Sequence, residues 1–184
     1  KTDITELKLH RNKLRKEIEN RFPDYAALVS PKPASIDKAR HLLKADEVLV
    51  SWYFGDKEGF VWAITKTGET QFHAFPLGRE KMAAMVSQLR KSLDAGVATI
   101  DDIPAYDVAL SHQLYQSILA PVHTALHGKK VMLAVPHAEL GQLPLALLTT
   151  QPDAQKYKPK GGDFTEYRKT PWLIKDIAVA QLPR

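Results

Sequence analysis

The stretch that most constrains the fold is an unbroken apolar run, Val131 to Val135, which two lysines precede and Pro136 follows. A run this short and this apolar predicts a strand buried on both faces, inside a sheet that helices cover. Proline ends the strand because it has no N–H to donate to the ladder. The polar turn His137–Gln142 comes next, at the kind of strand end where open α/β sheets form sites. The sequence therefore predicts an α/β fold, and on this stretch alone a core strand with its exit turn is the preferred interpretation over a functional site.

The composition is that of an ordinary globular protein, with 44% hydrophobic and 26% charged residues. No apolar run approaches the ~18 residues needed to cross a bilayer, and no signal-peptide pattern opens the sequence. The 184 residues contain no cysteine, which excludes a disulfide framework, a thiolate metal site and a thiol nucleophile in this chain. We therefore expect a cytoplasmic protein without a membrane partner. The net charge of +5 permits an acidic partner without requiring one.

A polar helix is predicted at the N-terminus, over Thr5–Arg21, and Phe22-Pro23 is expected to end it. A helix with so few apolar residues usually packs on a neighbour outside its domain or lies on the surface. These residues are Ile4, Leu7, Leu14 and Ile18. The Ser-Pro-Lys-Pro segment at 30–33 is short and stiff. It divides the chain into residues 1–33, an extra helix with its linker, and residues 34–184, the main domain.

An antiparallel meander is predicted between residues 48 and 75. Short glycine-containing loops separate three runs of alternating side chains, as in consecutive hairpins. The strands are Val48–Phe54, Phe60–Ile64 and Thr70–Phe75, and the loops are Gly55–Gly59 and Lys66–Glu69. Ser35 is expected to cap a short helix before the meander, with Ile36, Ala39 and Leu43 directed inward.

Two longer helices are predicted between the meander and the apolar strand. The first carries an apolar stripe over Met82–Leu93 and is expected to end at Gly96. Beyond the apolar strand, the segment Thr149–Thr170 is polar, and we expect it to form a surface loop. Ile177–Ala180 predicts a final strand.

The second helix is predicted over Tyr106–His127, and Pro121 inside it predicts a bend or break near Leu119. Its end carries His123 and His127 at i, i+4 spacing, which places both rings on one helical face and could bind zinc. A metalloprotease helix needs a glutamate directly after the first histidine, where this chain has threonine. No third ligand is evident, so two surface histidines are the preferred interpretation.

The segment Lys156–Lys169 has basic residues interleaved with tyrosine and phenylalanine. Such segments bind single-stranded nucleic acid through phosphate contacts and base stacking. Asp163 and Glu166 dilute its charge to about +2, which favours a solvated loop. Nucleic-acid binding through residues 156–169 is kept as an alternative. It predicts affinity for single-stranded DNA or RNA that falls steeply as salt rises.

Taken in order, the elements resemble the front half of a CHAT domain, the caspase-like domain often attached to tetratricopeptide repeats. No single motif is strict, but the ordered set spans residues 36–183, and its strongest pieces are LYQSILAPV and VPHAELGQLPLALL. The pieces are DEVLVSWYF (46–54), FVWAITKTG (60–68), LYQSILAPV (114–122), GKKVMLAVPHAELGQLPLALL (128–148) and PWLIKDIAVAQLP (171–183).

This resemblance implies a caspase-like mixed sheet flanked by helices, and a bacterial parent protein that is a caspase- or separase-type cysteine peptidase. In that family the catalytic His-Gly and cysteine lie further downstream, beyond Pro183, so neither can be assigned to a residue here. The chain would then be a non-catalytic front portion that supports a cysteine-containing catalytic half, in the same or a separate chain. The helix in residues 1–33 would suit a junction to a regulatory repeat region. A protein substrate would be a further partner.

Other local candidates for catalysis fail on chemistry. His127-Gly128 matches the family's His-Gly pair, but it precedes the buried strand, and the chain has no cysteine for it to activate. Asp101-Asp102 are adjacent carboxylates with a predicted capping or turn role. No nucleophile elbow, P-loop or dinucleotide-binding glycine motif occurs. We therefore predict no catalytic, cofactor-binding or metal-binding residue, and the alternative function is a protein-interaction module without peptidase activity.

The ends of the sequence suggest either a designed excerpt or a processed fragment. The sequence begins at Lys1 and stops at Arg184, just past the Leu-Pro pair that matches the family. Many caspase relatives are cut by processing, several of them after basic residues. If self-cleavage produces this end, a catalytic-cysteine mutant of the parent protein will yield no fragment that ends at Arg184.

Overall fold

The computed structural model describes residues 2–25, 34–152 except 95, 98, 100 and 101, and 165–182. The chain divides into two compact units, Lys1–Ser35 and Ile36–Arg184. The linker predicted at 30–33 lies outside the described residues, with Ser35 the last residue of the first unit. No helix in the described part of the chain is long and apolar enough to cross a membrane.

The first unit contains one long helix, α1 (Thr2–Arg21), which confirms the predicted N-terminal helix. Its apolar side chains are all exposed, as expected for a helix that packs on something outside its own unit. These are Ile4, Leu7, Leu9, Leu14 and Ile18. The surface pairs Arg15–Glu19 and Glu17–Arg21, at 3.5 and 3.6 Å, each contribute only about 0.3–0.5 kcal/mol. These charge pairs, which lie within the helix itself, therefore add little to its stability.

The second unit is a five-stranded sheet with helices, which confirms the α/β class. Its elements are α2 (Ile36–Leu42), β1 (Glu47–Phe54), β2 (Gly59–Thr65), β3 (Gln71–Phe75), α3 (Arg79–Arg90), α4 (Val108–Ile118), α5 (His123–Leu126), β4 (Val131–Val135) and β5 (Ala178–Gln181). Short 3-10 turns lie at Ala120–Val122, Ala138–Gln142, Leu145–Leu147, Thr165–Arg168 and Leu173–Lys175.

The strand order is β3-β2-β1-β4-β5, with β1 at the centre. β1, β2 and β3 pair antiparallel, which confirms the meander, whereas β4 pairs parallel with both β1 and β5. Val50, for example, lies opposite Ala63 on one side and Ala134 on the other. The sheet is therefore mixed, as predicted.

The hydrophobic core lies on one face of this sheet. Because paired strands are in register, the buried residues of β1 and β4 point the same way, toward α3 and α4. The fully buried members include Val48, Val50, Trp52, Met82, Leu89, Leu114, Ile118, Met132 and Ala134. β4 was predicted to be buried on both faces, and this is wrong: Val131, Leu133 and Val135 are only half-buried. An apolar run cannot by itself show whether helices cover both faces.

The helices follow the sequence pattern except at the end of α3. α3 ends at Arg90 rather than Gly96, because the chain turns as Leu93 and Asp94 both donate backbone N–H bonds to the Arg90 carbonyl. The break near Leu119 is confirmed, since a 3-10 turn containing Pro121 separates α4 from α5.

Two expectations about exposure are also wrong. Ile36 was expected to face inward and is 46% exposed, whereas Leu43 is buried as predicted. The expected surface loop Thr149–Thr170 begins and ends in the interior, because both threonines are fully buried and Thr149 donates to the Val108 carbonyl at 2.8 Å. Residues 153–164 of that segment lie outside the described part. The final strand is confirmed, one residue later than predicted.

We expect Tyr106 to make the protein sensitive to alkaline pH. Its hydroxyl donates to the Ser111 hydroxyl at 3.3 Å, and burial raises the pKa of Tyr106 to about 12 from 10.0. The folded pKa is above the unfolded one, so this contribution is complete below pH 10 and is lost between pH 10 and 12. The loss reaches about 2–3 kcal/mol at the upper end. Urea unfolding of Tyr106→Phe should show a shallower decline over this range than the parent or the control Tyr53→Phe, whose ring is half-exposed. Equal slopes in all three would contradict the assignment.

Candidate functional site: the open face of the sheet

The face opposite the core is apolar and only partly covered, and we call it the open face. The register of the strands places one set of side chains on it, because alternate residues of paired strands share a face. Its central members are Leu49, Ser51, Tyr53, Phe60, Trp62, Phe72, Leu133 and Val135. Tyr53 is 48% and Phe72 is 55% exposed, and the others are half-buried.

Four aromatic rings form a continuous ladder across β1, β2 and β3. The rings of Phe60 and Phe72 stack with their centroids 6.1 Å apart and their planes 12° apart. The Trp62 centroid lies 5.3 Å from that of Phe72, and the Tyr53 centroid lies 6.4 Å from that of Phe60. These spacings are those of favourable aromatic pairs. The rings therefore contact one another in series and form one continuous aromatic surface.

The centre of the open face is apolar: Ser51 carries an aliphatic hydroxyl, Tyr53 carries a phenol, and none of the central members is ionic at neutral pH. Within the strands, charge enters only at the start of β1, where Glu47 shares the face and pairs with Lys44 at 3.5 Å. A large exposed apolar patch marks an interaction site. α2 contributes partial cover, since Leu43 and Ile64 are buried outside the main core. The arrangement can bury a partner's apolar surface.

A second feature lies where the carboxyl ends of β1 and β4 meet, at the predicted polar turn. The Phe54 backbone N–H donates to Nδ1 of His137 at 3.1 Å, so in the neutral ring the proton is assigned to Nε2. The ring also lies against Tyr53, with the centroids 4.7 Å apart. The next residue, Ala138, has φ of 53°, a left-handed conformation that costs a non-glycine residue about 1–2 kcal/mol.

An ion pair lies in the same turn. Glu139 forms an ion pair with the Arg79 guanidinium, with 3.6 Å between Oε1 and Nη2, and this contact links the turn to the start of α3. A hydrogen bond with its own backbone lowers the pKa of Glu139 from the usual 4.5, and Arg79 adds to this effect against desolvation. The second carboxylate oxygen is shielded from solvent and has no hydrogen-bond partner among the described residues. This edge therefore offers an imidazole and a paired carboxylate, without the thiol that a cysteine peptidase needs.

The two histidines considered for zinc lie at the end of the broken helix. The rings of His123 and His127 are 6.0 Å apart, and Nδ1 of His123 forms a hydrogen bond with the Tyr115 hydroxyl at 3.2 Å. Among the described residues, no group of three or more His, Cys, Asp or Glu side chains could hold a metal ion. His127-Gly128 lies before β4, at the strand end opposite the carboxyl edge.

The remaining sequence candidates do not meet at a common site. Asp101 lies outside the described residues, and Asp102 accepts a hydrogen bond from the Thr99 hydroxyl at 2.7 Å. Of the basic segment, residues 156–164 also lie outside the described part. Tyr167 of that segment packs on Trp172, and its hydroxyl accepts the Tyr106 backbone N–H at 2.7 Å. This aromatic ring therefore packs against the core.

The open face was not predicted, although the sequence carries a signal for it. In β1 and β2, both alternating sets of side chains are mostly apolar or aromatic, whereas a half-exposed strand alternates with polar residues. Comparisons of the chain with protein-family models, curated proteins and solved structures found no match.

Proposed function

We propose that this chain is the non-catalytic front portion of a CHAT-type, caspase-like cysteine peptidase of bacterial type that acts in the cytoplasm. It supports a cysteine-bearing catalytic half of the same domain and couples that half to a regulatory repeat region. The observation that carries the proposal is the open face, an apolar sheet surface that the core helices leave uncovered. A catalytic half that covers this face would bury its apolar side chains and add a second layer to the sheet.

The outer edge of β5 supports the same assignment. Within the described residues β5 is an edge strand, paired parallel with β4. Its sequence, Ala-Val-Ala-Gln, carries neither a charge nor a proline, the usual means by which edge strands avoid further pairing. A catalytic half could extend the sheet here with parallel strands of its own and supply the thiol that this chain lacks.

The α1 helix supports the link to a regulatory region. Its exposed apolar residues need a neighbouring surface, and stacked helical repeats offer one on each side.

Native and denaturing mass spectrometry of the protein from its source tests the proposal. We expect a second polypeptide that copurifies in a stable complex and whose cysteine reacts with an electrophilic peptide ending in arginine or lysine. A single species of 20.6 kDa would contradict it. A partner without a reactive cysteine would favour the alternative, a protein-interaction module, which the open face also supports.

The Phe72→Glu variant locates the interface. Because Phe72 is more than half exposed, we expect the free energy of unfolding to change by no more than about 0.5–1 kcal/mol. Placing a carboxylate against the apolar surface of the partner should nevertheless weaken the complex at least about tenfold. Leu93→Glu is the matched control, since Leu93 is an exposed leucine that follows α3 on the other side of the sheet. Equal affinity for both variants would place the interface elsewhere.

A further inference from the structure

The second edge of the sheet is β3, at the far side from β5. Its sequence, Gln-Phe-His-Ala-Phe, has no charged lysine, arginine or carboxylate and no proline, and its three central residues are exposed. Edge strands without such protection are templates for strand addition. Within the described residues, no further strand pairs with β3.

A cleft of about 400 Å³ lies between β3, α3 and α4. The strand contributes His73 and Phe75, α3 contributes Lys81 and Met85, and α4 contributes Gln113 and Gln116. His73 lies opposite the buried Val61, so its side chain is on the helix-covered face of the sheet. A strand added beside β3 would run about 4.8 Å further out. Its side chains on that same face would point into the cleft.

The polar groups of the cleft favour an anion. Lys81 supplies an ammonium group, the two glutamines supply amide N–H donors, and no aspartate or glutamate lines the cleft. Lys81 has no ion-pair partner in the described part of the chain. A carboxylate that enters here gains charge-assisted hydrogen bonds, and Phe75 and Met85 pack on the methylenes that carry it.

We propose that an extended peptide with an acidic side chain adds to β3 as a sixth strand and places its carboxylate beside Lys81. Backbone hydrogen bonds to β3 supply affinity, and the cleft selects the side chain, as is usual when a peptide adds a strand to a sheet edge. The site is independent of the peptidase assignment, because it lies on the opposite edge of the sheet from β5.

Three capped peptides test this proposal. Each alternates valine and threonine, with glutamate, glutamine or lysine at the centre. With the full chain, we expect the glutamate peptide to slow amide hydrogen exchange at residues 71–75 and to bind about tenfold more tightly than the glutamine peptide. Lys81→Glu should remove that advantage and make the lysine peptide the preferred one. Lys91→Glu makes the same change of net charge on an exposed residue just beyond the other end of α3, and it should leave the order of the peptides unchanged.

Several results would overturn the proposal. One is that a saturating concentration of the glutamate peptide does not slow amide hydrogen exchange at residues 71–75. Another is an equal effect of Lys81→Glu and Lys91→Glu on the relative affinities of the three peptides, because an equal effect would reflect the net charge of the protein alone. Protection that rises with protein concentration in the absence of peptide would assign the edge to a second copy of this chain instead.

Discussion

Replacing Trp52 with alanine is expected to lower the free energy of unfolding by about 3–5 kcal/mol. The side chain is 2% exposed at the centre of the core, and its Nε1–H donates to the Ile118 carbonyl at 2.8 Å. That carbonyl needs an outside partner because α4 ends at Ile118, where the Pro121 turn prevents the helical bond from forming. Urea unfolding at neutral pH measures the change.

Two further variants separate packing from hydrogen bonding. Trp52→Phe keeps most of the ring but leaves the buried Ile118 carbonyl unpaired, at a cost of about 1–3 kcal/mol. Trp62→Ala is the matched control, because Trp62 is the half-buried tryptophan of the open face, and we expect a loss of only about 1 kcal/mol. A loss for Trp62→Ala as large as that for Trp52→Ala would mean that the open face is covered as fully as the core.

Substitution of Gly78 by alanine is expected to lower the free energy of unfolding by about 2–4 kcal/mol. A Cβ at this position would overlap the Asp56 carbonyl oxygen and lie 2.6 Å from the carbonyl carbon. Both are backbone atoms of the β1–β2 loop, so no side-chain rotation relieves the clash. The φ of −80° is ordinary for any residue, and the cost is therefore steric rather than conformational.

The same substitution should loosen the start of α3. The N–H of Arg79 donates to the Gly55 carbonyl at 2.9 Å, and a displaced loop weakens this bond. Gly141→Ala is the control, because a Cβ there would lie 3.7 Å from the Pro136 ring, an ordinary contact. Urea unfolding of the two variants should differ by at least about 2 kcal/mol. Similar midpoints would contradict the steric account.

Features with a local cause could be predicted from the sequence. The meander follows from alternating residues and short glycine loops, and the break at Leu119 follows from Pro121. The end of α3 could not be predicted, because it depends on a turn at Arg90 rather than on the glycine six residues later. The burial of Thr149 also depends on a distant partner, Val108.

The candidate sites depend on tertiary structure in the same way. The aromatic residues of β1 and β2 could be identified from the sequence, but which face the helices cover could not. The β3 cleft is built from three elements that only the fold brings together, so neither Lys81 nor Gln116 carried a signal of its own. The predicted double burial of β4 failed for the same reason: its Leu133 is apolar but lies on the uncovered side.

The strand order has a consequence for synthesis. β1 is complete early in the chain, but its parallel partner β4 follows more than eighty residues later, as the pairing of Val50 with Ala134 requires. Until the ribosome has produced β4, the meander has apolar residues on both faces, and β1, the central strand of the finished sheet, is unpaired on one side. Such long-range pairing slows folding and prolongs exposure to aggregation. The nascent chain is therefore expected to depend on chaperones most strongly between the synthesis of β3 and that of β4.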